Sequence, residues 1–365
     1  MCRTYNIIGS LTTLKTNLEE NNIYDFKSLK EVIDFKSSYP TFQQQIISNH
    51  VKLIEQEKNH LIKDLQQLDI TIETKKQEAI QSLIIEIEKL KQQLIFLTKD
   101  SSSNIFQKLT KYFRQWNCKR ELIKKEHNFD AEVMKSINNL LDIRKIKNNR
   151  FQFITSQFDM AVEESSQKAL SDIERKKSVI DNLNNVILGA LGENKVVKTL
   201  EYLSDDYILI NDFAISFSPT IYNRQENDYI KSIQIDHLLI AKSGIFIIET
   251  KNWSEKSLEN LNLRSPVQQI RRTSFALFKL LNNEMSSSNQ LLDKHRWGDK
   301  KISIKNLIVF TNTKPKDEFQ YVKILALNEL LGYIEFFNPI FSSVETQRIA
   351  DLLLSINNQK TIDIK

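Results

Sequence analysis

The sequence predicts a long all-α, coiled-coil-like region followed by a mixed α/β (α+β) domain with the element order αβββαβα. Residues 41–188 contain no glycine and no proline, the residues that most often interrupt a helix. From Gly189 onward, short runs rich in isoleucine, leucine and phenylalanine are bounded by turn residues, which is typical of buried strands. The change of pattern predicts a helical arm at residues 1–185 and a mixed domain at residues 186–365.

The predicted arm carries apolar residues at alternating steps of three and four, the spacing of a coiled-coil seam. Lys58 and Lys75 interrupt this seam, so it is compatible with a helical hairpin within one chain as well as with self-association or a partner protein. A break is predicted at residues 99–104, and a second helical stretch continues to about Leu188. The seam positions are Ile47, Val51, Ile54, Leu61, Leu65, Leu68 and Ile72 and, after a shift of phase, Ala79, Leu83, Ile87, Leu90, Leu94 and Leu97.

The mixed domain contains four predicted strands and three predicted helices. The strands are Tyr207 to Ile215, Ile233 to Ala241, Ile245 to Glu249 and Ile304 to Phe310. The helices are Ala190 to Leu203, Pro266 to Asn282 and Glu345 to Ile356. Strands followed and interrupted by helices in this order indicate a mixed sheet covered by helices.

Composition excludes several classes of protein. The chain has 51 Lys+Arg against 46 Asp+Glu and a formal net charge of +5, which permits nucleic-acid binding without requiring it. Cys2 and Cys118 are the two cysteines, too few for a disulfide framework or a cysteine-based zinc site, and they predict a cytoplasmic environment. The sequence shows no run of about 18 apolar residues and no signal-peptide pattern, so neither a membrane span nor secretion is expected.

The candidate chemistry lies in the hairpin of the second and third predicted strands. A turn at residues 242–243 places Asp236 opposite Glu249, and alternation along the strand puts Lys251 on the same face. Two opposed carboxylates need compensation, by a shared proton, by Lys251 or by a divalent cation. Because Mg²⁺ takes one or two carboxylates together with water and phosphate oxygens, the D…ExK pattern is a minimal set for phosphodiester cleavage. The other interpretation is a buried salt-bridge network.

Glu193 and Gln269 lie on predicted helices that flank the strands. Glu193, Val197 and Leu200 have helical spacing, so Glu193 is expected to face the sheet. The other interpretation is an acid in the first helical turn, where the helix dipole favours it. Gln269 lies one turn into a helix that begins with proline and could orient a ligand. Gln269 could equally be a solvated helix residue, in which case Gln268 would be the residue that orients a ligand.

Four further residues lie beside this pattern. His237 points to the face opposite Asp236 and is interpreted as a packed histidine. Trp253 is interpreted as a packing residue, with stacking on a base as the alternative. Arg271 and Arg272 are candidates for contacts with phosphates.

The arm contains a basic segment interleaved with aromatic residues. Glu121 is the one acid between Gln107 and Lys125. On a helix, such cations could follow a phosphate backbone with salt-sensitive affinity. The favoured interpretation is an amphipathic helix that exposes its charged face and packs its aromatic residues inward. The segment consists of Lys108, Lys111, Arg114, Lys119, Arg120, Lys124 and Lys125 with Tyr112, Phe113 and Trp116.

Taken in order, these motifs resemble the nuclease-related domain (NERD), a family placed in the restriction-endonuclease-like, PD-(D/E)xK superfamily. The resemblance covers about residues 186–315, with residue 356 as its outer limit, and does not extend to the arm. It is carried by Gly192-Glu193, Gln234-Ile235-Asp236-His237, the string from Gly244 through Ile248-Glu249-Thr250-Lys251-Asn252-Trp253, Pro266-x-x-Gln269 and Ile308-Val309-Phe310.

The resemblance implies a restriction-endonuclease-like αβββαβ core and a divalent-metal-dependent nuclease. The implied substrate is DNA rather than RNA, in defence against foreign DNA or in DNA processing. The implied site consists of Asp236, Glu249 and the backbone carbonyl of Thr250 as ligands of Mg²⁺ or Mn²⁺, Glu193 as a support of the metal site, Lys251 beside the attacking water, and Gln269 orienting Lys251 or the substrate.

Two points qualify this implication. The polar segment from Ser218 to Ser232 departs from the family pattern and is predicted to be a lengthened connection that alters substrate access. A non-catalytic alternative also stays open, in which a nucleic-acid-binding or coiled-coil scaffold protein keeps the nuclease fold without turnover.

Overall fold

The computed structural model divides the chain into two compact units. The helical unit is Ser38–Glu174, and the sheet unit combines Met1–Ser37 with Arg175–Lys365. The structure describes residues 1–99, 105–255, 264–287, 291–292 and 302–363.

The division into units differs from the predicted domains at residues 1–185 and 186–365. Residues 1–37 belong to the sheet unit, because Arg3–Tyr5 forms a strand in its sheet and the helix Gly9–Glu20 packs on the same body. These contacts join segments far apart in sequence, so no local pattern near the N-terminus indicates them.

The helical unit folds back on itself along its seam. Ile54 and Leu61 are buried with Ile154 and Val162 in one apolar cluster, so the hairpin within one chain, one of the alternatives compatible with the sequence, is observed. The predicted break at residues 99–104 falls mostly on residues 100–104, outside the described residues. The helices that supply this unit are α2 (Leu29–Lys99), α3 (Ile105–His127), α4 (Phe129–Ser156) and α5 (Phe158–Asn182).

Ion pairs line the hairpin, and from Glu57–Arg150 to Glu86–Lys125 the residue numbers rise on one side as they fall on the other, which shows that the two sides run antiparallel. Their side chains are mostly well exposed, so each contributes little stability and the set acts mainly on register. Helix α2 begins before Pro40 and continues through it, although the sequence suggests a start after this proline. The pairs are Glu57–Arg150, Asp64–Lys147, Asp69–Arg144, Glu86–Lys125 and Lys91–Glu126.

In the part of the sheet unit that the structure describes, seven strands form one sheet in the order β1-β2-β3-β4-β5-β6, with β7 paired to β2. Strands β2, β3 and β4 are antiparallel neighbours, whereas β4, β5 and β6 are parallel, as are β1 and β7 with β2. The strands are β1 (Arg3–Tyr5), β2 (Ile208–Asn223), β3 (Asp228–Ala241), β4 (Gly244–Lys251), β5 (Ile304–Phe310), β6 (Lys323–Ala326) and β7 (Thr361–Asp363).

Helices cover both faces of this sheet. Ile247 and Phe310 face a core that includes α7 and α9, while Phe246 and Val309 face a second core with α6 and α8. Burial on both sides explains why the central strands read as continuous apolar runs. The mixed fold class predicted from the sequence is confirmed. The helices are α1 (Gly9–Glu20), α6 (Asn184–Leu200), α7 (Arg264–Ser287), α8 (Leu330–Glu335) and α9 (Ser343–Gln359).

The polar segment Ser218 to Ser232 is not the predicted connection. Strand β2 continues to Asn223 and β3 begins at Asp228, so the two strands extend as a paired ribbon beyond the predicted strand ends. In this extension Ile221 pairs with Ile230, and both are buried. The ribbon thus buries one face and leaves polar residues on the other.

Within the described part of the chain, no helix offers a stretch long and apolar enough to cross a membrane.

Candidate active site

The β3–β4 hairpin has the register that the sequence predicts. His237 pairs with Ile248, so the next residues, Asp236 and Glu249, lie opposite each other at the end of the ladder. Asp236 Oδ2 accepts a hydrogen bond of 2.8 Å from the backbone N–H of Thr250. This carboxylate oxygen takes the place of the backbone carbonyl that would accept the bond if the ladder continued. Because the N–H and C=O of a strand residue point to the same edge, the Thr250 carbonyl also faces the Asp236 side.

Charge at this strand end is only partly compensated. Lys251 Nζ lies 2.7 Å from Glu249 Oε1, and the two side chains are 21% and 10% exposed. Burial, followed by the charges of Glu249 and Glu193, raises the pKa of Asp236 well above its ordinary value, against a weaker lowering by the Thr250 N–H and by Lys251. The Lys251–Glu249 salt bridge expected in one interpretation is therefore present. It does not neutralise the second acid, Asp236.

Glu193 reaches the same region from α6. It is 7% exposed and lies well inside a helix that begins at Asn184, so the interpretation as a first-turn acid is wrong. Its Oε1 accepts a hydrogen bond from Ser10 Oγ and its Oε2 one of 3.3 Å from the Ser10 N–H. Burial raises the pKa of Glu193, the two bonds from Ser10 lower it in part, and Asp212 and Glu249 raise it further.

Close packing fixes α6 against the ends of β4 and β5. A Cβ added at Gly192 would lie 3.0 Å from Asn252 Cβ and 3.2 Å from Thr250 Cγ2, so only glycine fits this approach comfortably. Asn252 Nδ2 donates to the Leu188 carbonyl at 2.9 Å and its Oδ1 accepts from Thr311 Oγ1 at 3.0 Å. These contacts set the position of the glutamate that follows Gly192.

A small polar cleft opens beside these residues. Its volume is about 140 Å³, enough for several water molecules or for a hydrated cation and a phosphate oxygen. Gln269 lines it and the neighbouring Gln268 does not, which favours Gln269 among the two sequence candidates. The lining residues are Gly9, Ser10, Thr13, Glu193, Asp212, Gln234, Asp236 and Gln269.

Ser10 and Asp212 are site residues that the sequence reasoning missed. Ser10 has no local signal, because it meets Glu193 across 183 positions of sequence. Asp212 interrupts an apolar strand, which was an available signal; it has a positive φ of 49° and accepts from Gln234 Nε2 at 2.7 Å. A Cβ at Gly9 would lie 2.7 Å from Asp212 Oδ1, so a larger first residue of α1 would displace the Asp212 carboxylate.

His237 and Trp253 have the packing roles interpreted from the sequence. His237 is fully buried, its Nδ1 lies 2.7 Å from Asn211 Oδ1, and burial lowers its pKa to about 3. The ring is therefore neutral, with Nδ1–H donating to the amide oxygen. The Trp253 ring packs edge-on against Phe310 at a centroid distance of 5.7 Å.

The two arginines of α7 have other contacts than the predicted phosphates. Arg272 forms an ion pair with Asp228 and donates to the Tyr229 carbonyl at 3.1 Å. The Arg271 guanidinium lies over the Tyr321 ring at 5.9 Å from its centroid. A role in phosphate binding would require these contacts to be exchanged.

The donor set fits an oxygen-liganded divalent ion that keeps part of its water shell. Among the described residues, no group of three or more His, Cys, Asp or Glu side chains is arranged to hold a metal ion, so these residues alone do not form a closed metal cage. Asp236, Glu249 and the Thr250 carbonyl are hard oxygen donors with excess negative charge at a polar cleft. Mg²⁺ and Mn²⁺ are commonly held by one or two carboxylates, with water and substrate phosphate as the other ligands.

Comparison with known proteins identifies the same segment. The family model for the nuclease-related domain, NERD, matches residues 188–311, which include the whole hairpin, Glu193 and Gln269 but not Ser10. No curated protein and no solved structure gave a significant match. The resemblance to the nuclease-related domain predicted from the sequence is therefore confirmed for residues 188–311.

Proposed function

We propose that the chain is a divalent-metal-dependent nuclease that hydrolyses DNA phosphodiester bonds. The observation that carries this proposal is the convergence of Glu193, Asp236, Glu249 and Lys251 at one end of the β3–β4 hairpin, beside a polar cleft. The match of residues 188–311 to the nuclease-related domain supports it independently. A cytoplasmic location fits Cys2 and Cys118, which are both free and buried.

Each residue has a distinct role in the proposed reaction. Asp236, Glu249 and the Thr250 carbonyl would hold Mg²⁺ or Mn²⁺, which would supply Lewis-acid stabilisation of the phosphate. The Lys251 ammonium would lie beside the attacking water and stabilise charge that develops on a phosphoryl oxygen. Gln269, on the cleft wall, would orient Lys251 or the substrate.

Cleavage assays with several nucleic acids test this function. Supercoiled plasmid, linear duplex DNA, single-stranded DNA and RNA would each be incubated with Mg²⁺ or Mn²⁺. Wild-type protein should cleave DNA, and EDTA or the substitution Asp236→Ala should reduce the rate by at least about a hundredfold, because charge stabilisation at the phosphate is lost. Asp228→Ala is a matched control on the same strand, since Asp228 pairs with Arg272 and should be dispensable for cleavage.

The outcomes separate the alternatives. Equal cleavage by wild-type protein and Asp236→Ala would indicate a contaminating nuclease and contradict the assignment. Cleavage of RNA alone, lost in Asp236→Ala, would keep the site and change the substrate class.

A non-catalytic nucleic-acid-binding protein is the second candidate. It is favoured by the hydrogen bonds that occupy Glu193 through Ser10 and by the ion pair that holds Lys251 on Glu249. This candidate predicts nucleic-acid binding that is unchanged by Asp236→Ala, with no cleavage under any metal condition.

Ser10→Ala tests whether the N-terminal segment helps to form the site. The Ser10 hydroxyl donates to Glu193 and lowers the pKa of that carboxyl, so its removal should raise the pKa further. If ionised Glu193 supports the metal site, the acid limb of the pH–rate profile should move to higher pH, and cleavage at the lower end of the profile should fall roughly tenfold.

The matched control for this prediction is Ser37→Ala. Ser37 is an exposed residue of the sheet unit that donates to the Asp34 carbonyl, so its pH profile should coincide with that of the wild type. An unchanged acid limb in Ser10→Ala would show that Glu193 does not depend on this bond.

A further inference from the structure

Helix α3 of the helical unit buries only a narrow side. Among the side chains of α3 whose burial the structure describes, Cys118 and Leu122 are buried, and the Cys118 thiol lies 3.4 Å from the carbonyl of Leu90. Gln115 Nε2 donates to the Leu97 carbonyl at 2.8 Å. These two polar contacts attach α3 to the last turns of α2, and Leu122 is a large apolar side chain that α3 buries.

The opposite side of α3 is apolar and open to solvent. The exposed fractions are 55% for Leu109, 68% for Tyr112, 63% for Phe113, 52% for Trp116 and 56% for Ile123. Their spacing places these five residues, here named the α3 stripe, on one side of the helix. The sequence interpretation that the aromatic residues pack inward is therefore wrong. A continuous apolar surface of this kind marks an interaction site.

Exposed cations border the α3 stripe. The Arg120 guanidinium lies over the Trp116 ring at 5.5 Å from its centroid, and Glu121 is the one acid between Gln107 and Lys125. A second copy of α3 would bring these cations face to face, which disfavours self-association through this surface. Charge complementarity instead requires a partner that is anionic and offers apolar contact. The exposed cations beside the stripe are Lys108, Lys119, Arg120 and Lys124, whereas Arg114 lies towards the end of α2.

Two kinds of anionic partner offer apolar contact, and the shape of the surface favours one of them. Nucleic acid would stack bases on aromatic rings within a charged groove. The α3 stripe lies instead on the convex side of a helix, and it includes Leu109 and Ile123, which have no ring on which a base can stack.

We propose that α3 binds the surface of an anionic lipid bilayer. The α3 stripe would enter the boundary between headgroups and acyl chains, while the bordering cations would contact lipid phosphates. A helix with an apolar side, basic borders and an aromatic centre is typical of interfacial attachment, which differs from a membrane span because the helix lies parallel to the surface.

Vesicle co-sedimentation with the full-length protein tests the proposal. Vesicles of phosphatidylcholine alone would be compared with vesicles that also contain phosphatidylglycerol, at low and high salt. The protein should bind the anionic vesicles, and less at high salt. The triple variant Leu109→Ser/Phe113→Ser/Trp116→Ser should bind at least about tenfold more weakly, because the apolar contact is lost.

Two further variants keep this result interpretable. Ile70→Ser/Ile146→Ser alters two residues of the same unit that are 61% and 69% exposed and should bind as the wild type does. Lys119→Glu/Lys124→Glu should lose preference for anionic vesicles. Circular dichroism should show equal helix content in all variants, since the altered side chains are exposed.

Three results would overturn the proposal. The first is vesicle binding by the triple variant equal to that of the wild type. The second is binding to single-stranded or duplex oligonucleotides that depends on the α3 stripe, with no vesicle binding. The third is a change in solution mass between wild-type protein and the triple variant, which would make a second copy the occupant. Nuclease activity does not enter any of these readouts, so the two proposals succeed or fail separately.

Discussion

Lys251→Met should lower the rate of DNA cleavage by at least about a hundredfold, the usual cost of removing one group that stabilises transition-state charge. The Lys251 ammonium is mostly buried and lies 2.7 Å from Glu249, so its position is fixed before substrate binds. The substitution keeps the length and apolar stem of the side chain and removes its charge. DNA affinity, measured in Ca²⁺ to prevent turnover, should change far less than the rate.

The same substitution leaves the buried Glu249 carboxylate without its cation, which destabilises a folded protein. A divalent ion in the site would compensate the charge, so Mg²⁺ should raise the Tm of Lys251→Met more than that of the wild type. Cleavage by Lys251→Met at the wild-type rate would refute the proposed role.

Lys242→Met is the matched control. Lys242 forms an ion pair with Asp206 at the opposite end of the same hairpin, so this variant loses a comparable contact without approaching the cleft. Its cleavage rate should equal that of the wild type. Lys251→Arg, which keeps the charge in a different shape, should retain part of the activity if charge is the decisive property.

The part of the site that lies on β3 and β4 was predictable because its geometry is local. A turn of two residues fixes the hairpin register, and the alternation of side chains then decides which residues share a face with Asp236. The observed pairing of His237 with Ile248 follows from those two rules. The apolar run that begins at Ile245 also ends in Glu249 and Lys251. Charged side chains placed at the edge of a core in this way indicate a functional site, because their burial is costly.

The contribution of the N-terminal segment was not predictable from local patterns. Ser10 meets Glu193, and Arg3 pairs with Ile208, over separations of about 200 positions. Such contacts depend on how the whole sheet closes, and short segments carry no periodic signal for them. The match to the family model, which begins at residue 188, likewise leaves this segment out.

The α3 stripe shows a different limit of sequence reasoning. The rule that an amphipathic helix turns its apolar side inward assumes that the protein itself provides the partner surface. In α3 the contact with α2 uses Cys118 and Gln115, and the periodicity of the sequence is the same whichever side is buried. Periodicity identifies the stripe, and only tertiary contacts decide where it points.

Asp236→Asn should raise the Tm of the metal-free protein at neutral pH while it removes cleavage. Burial and the charges of Glu249 and Glu193 raise the pKa of Asp236 well above its ordinary value of 3.8. The folded protein therefore holds the Asp236 proton more tightly than the unfolded chain does. The contribution of Asp236 to the free energy of unfolding is therefore fully present below its ordinary pKa and is lost as pH rises through its pKa in the folded protein. Asparagine carries no charge to desolvate, and its amide oxygen can still accept the Thr250 N–H.

The gain in Tm should consequently be small in acid and grow towards neutral pH, and thermal denaturation in EDTA at several pH values measures it. Asp228→Asn, on the same strand, removes an ion pair with Arg272 and should give no gain. Mg²⁺ should raise the Tm of the wild type and reduce the difference in Tm between the two proteins, because an ion held by Asp236 and Glu249 would offset their repulsion. A lower Tm for Asp236→Asn at every pH would show that the carboxylate stabilises the fold. A higher Tm for Asp236→Asn than for the wild type would mean that Asp236 lowers the stability of the fold, as expected of a residue whose role is chemical.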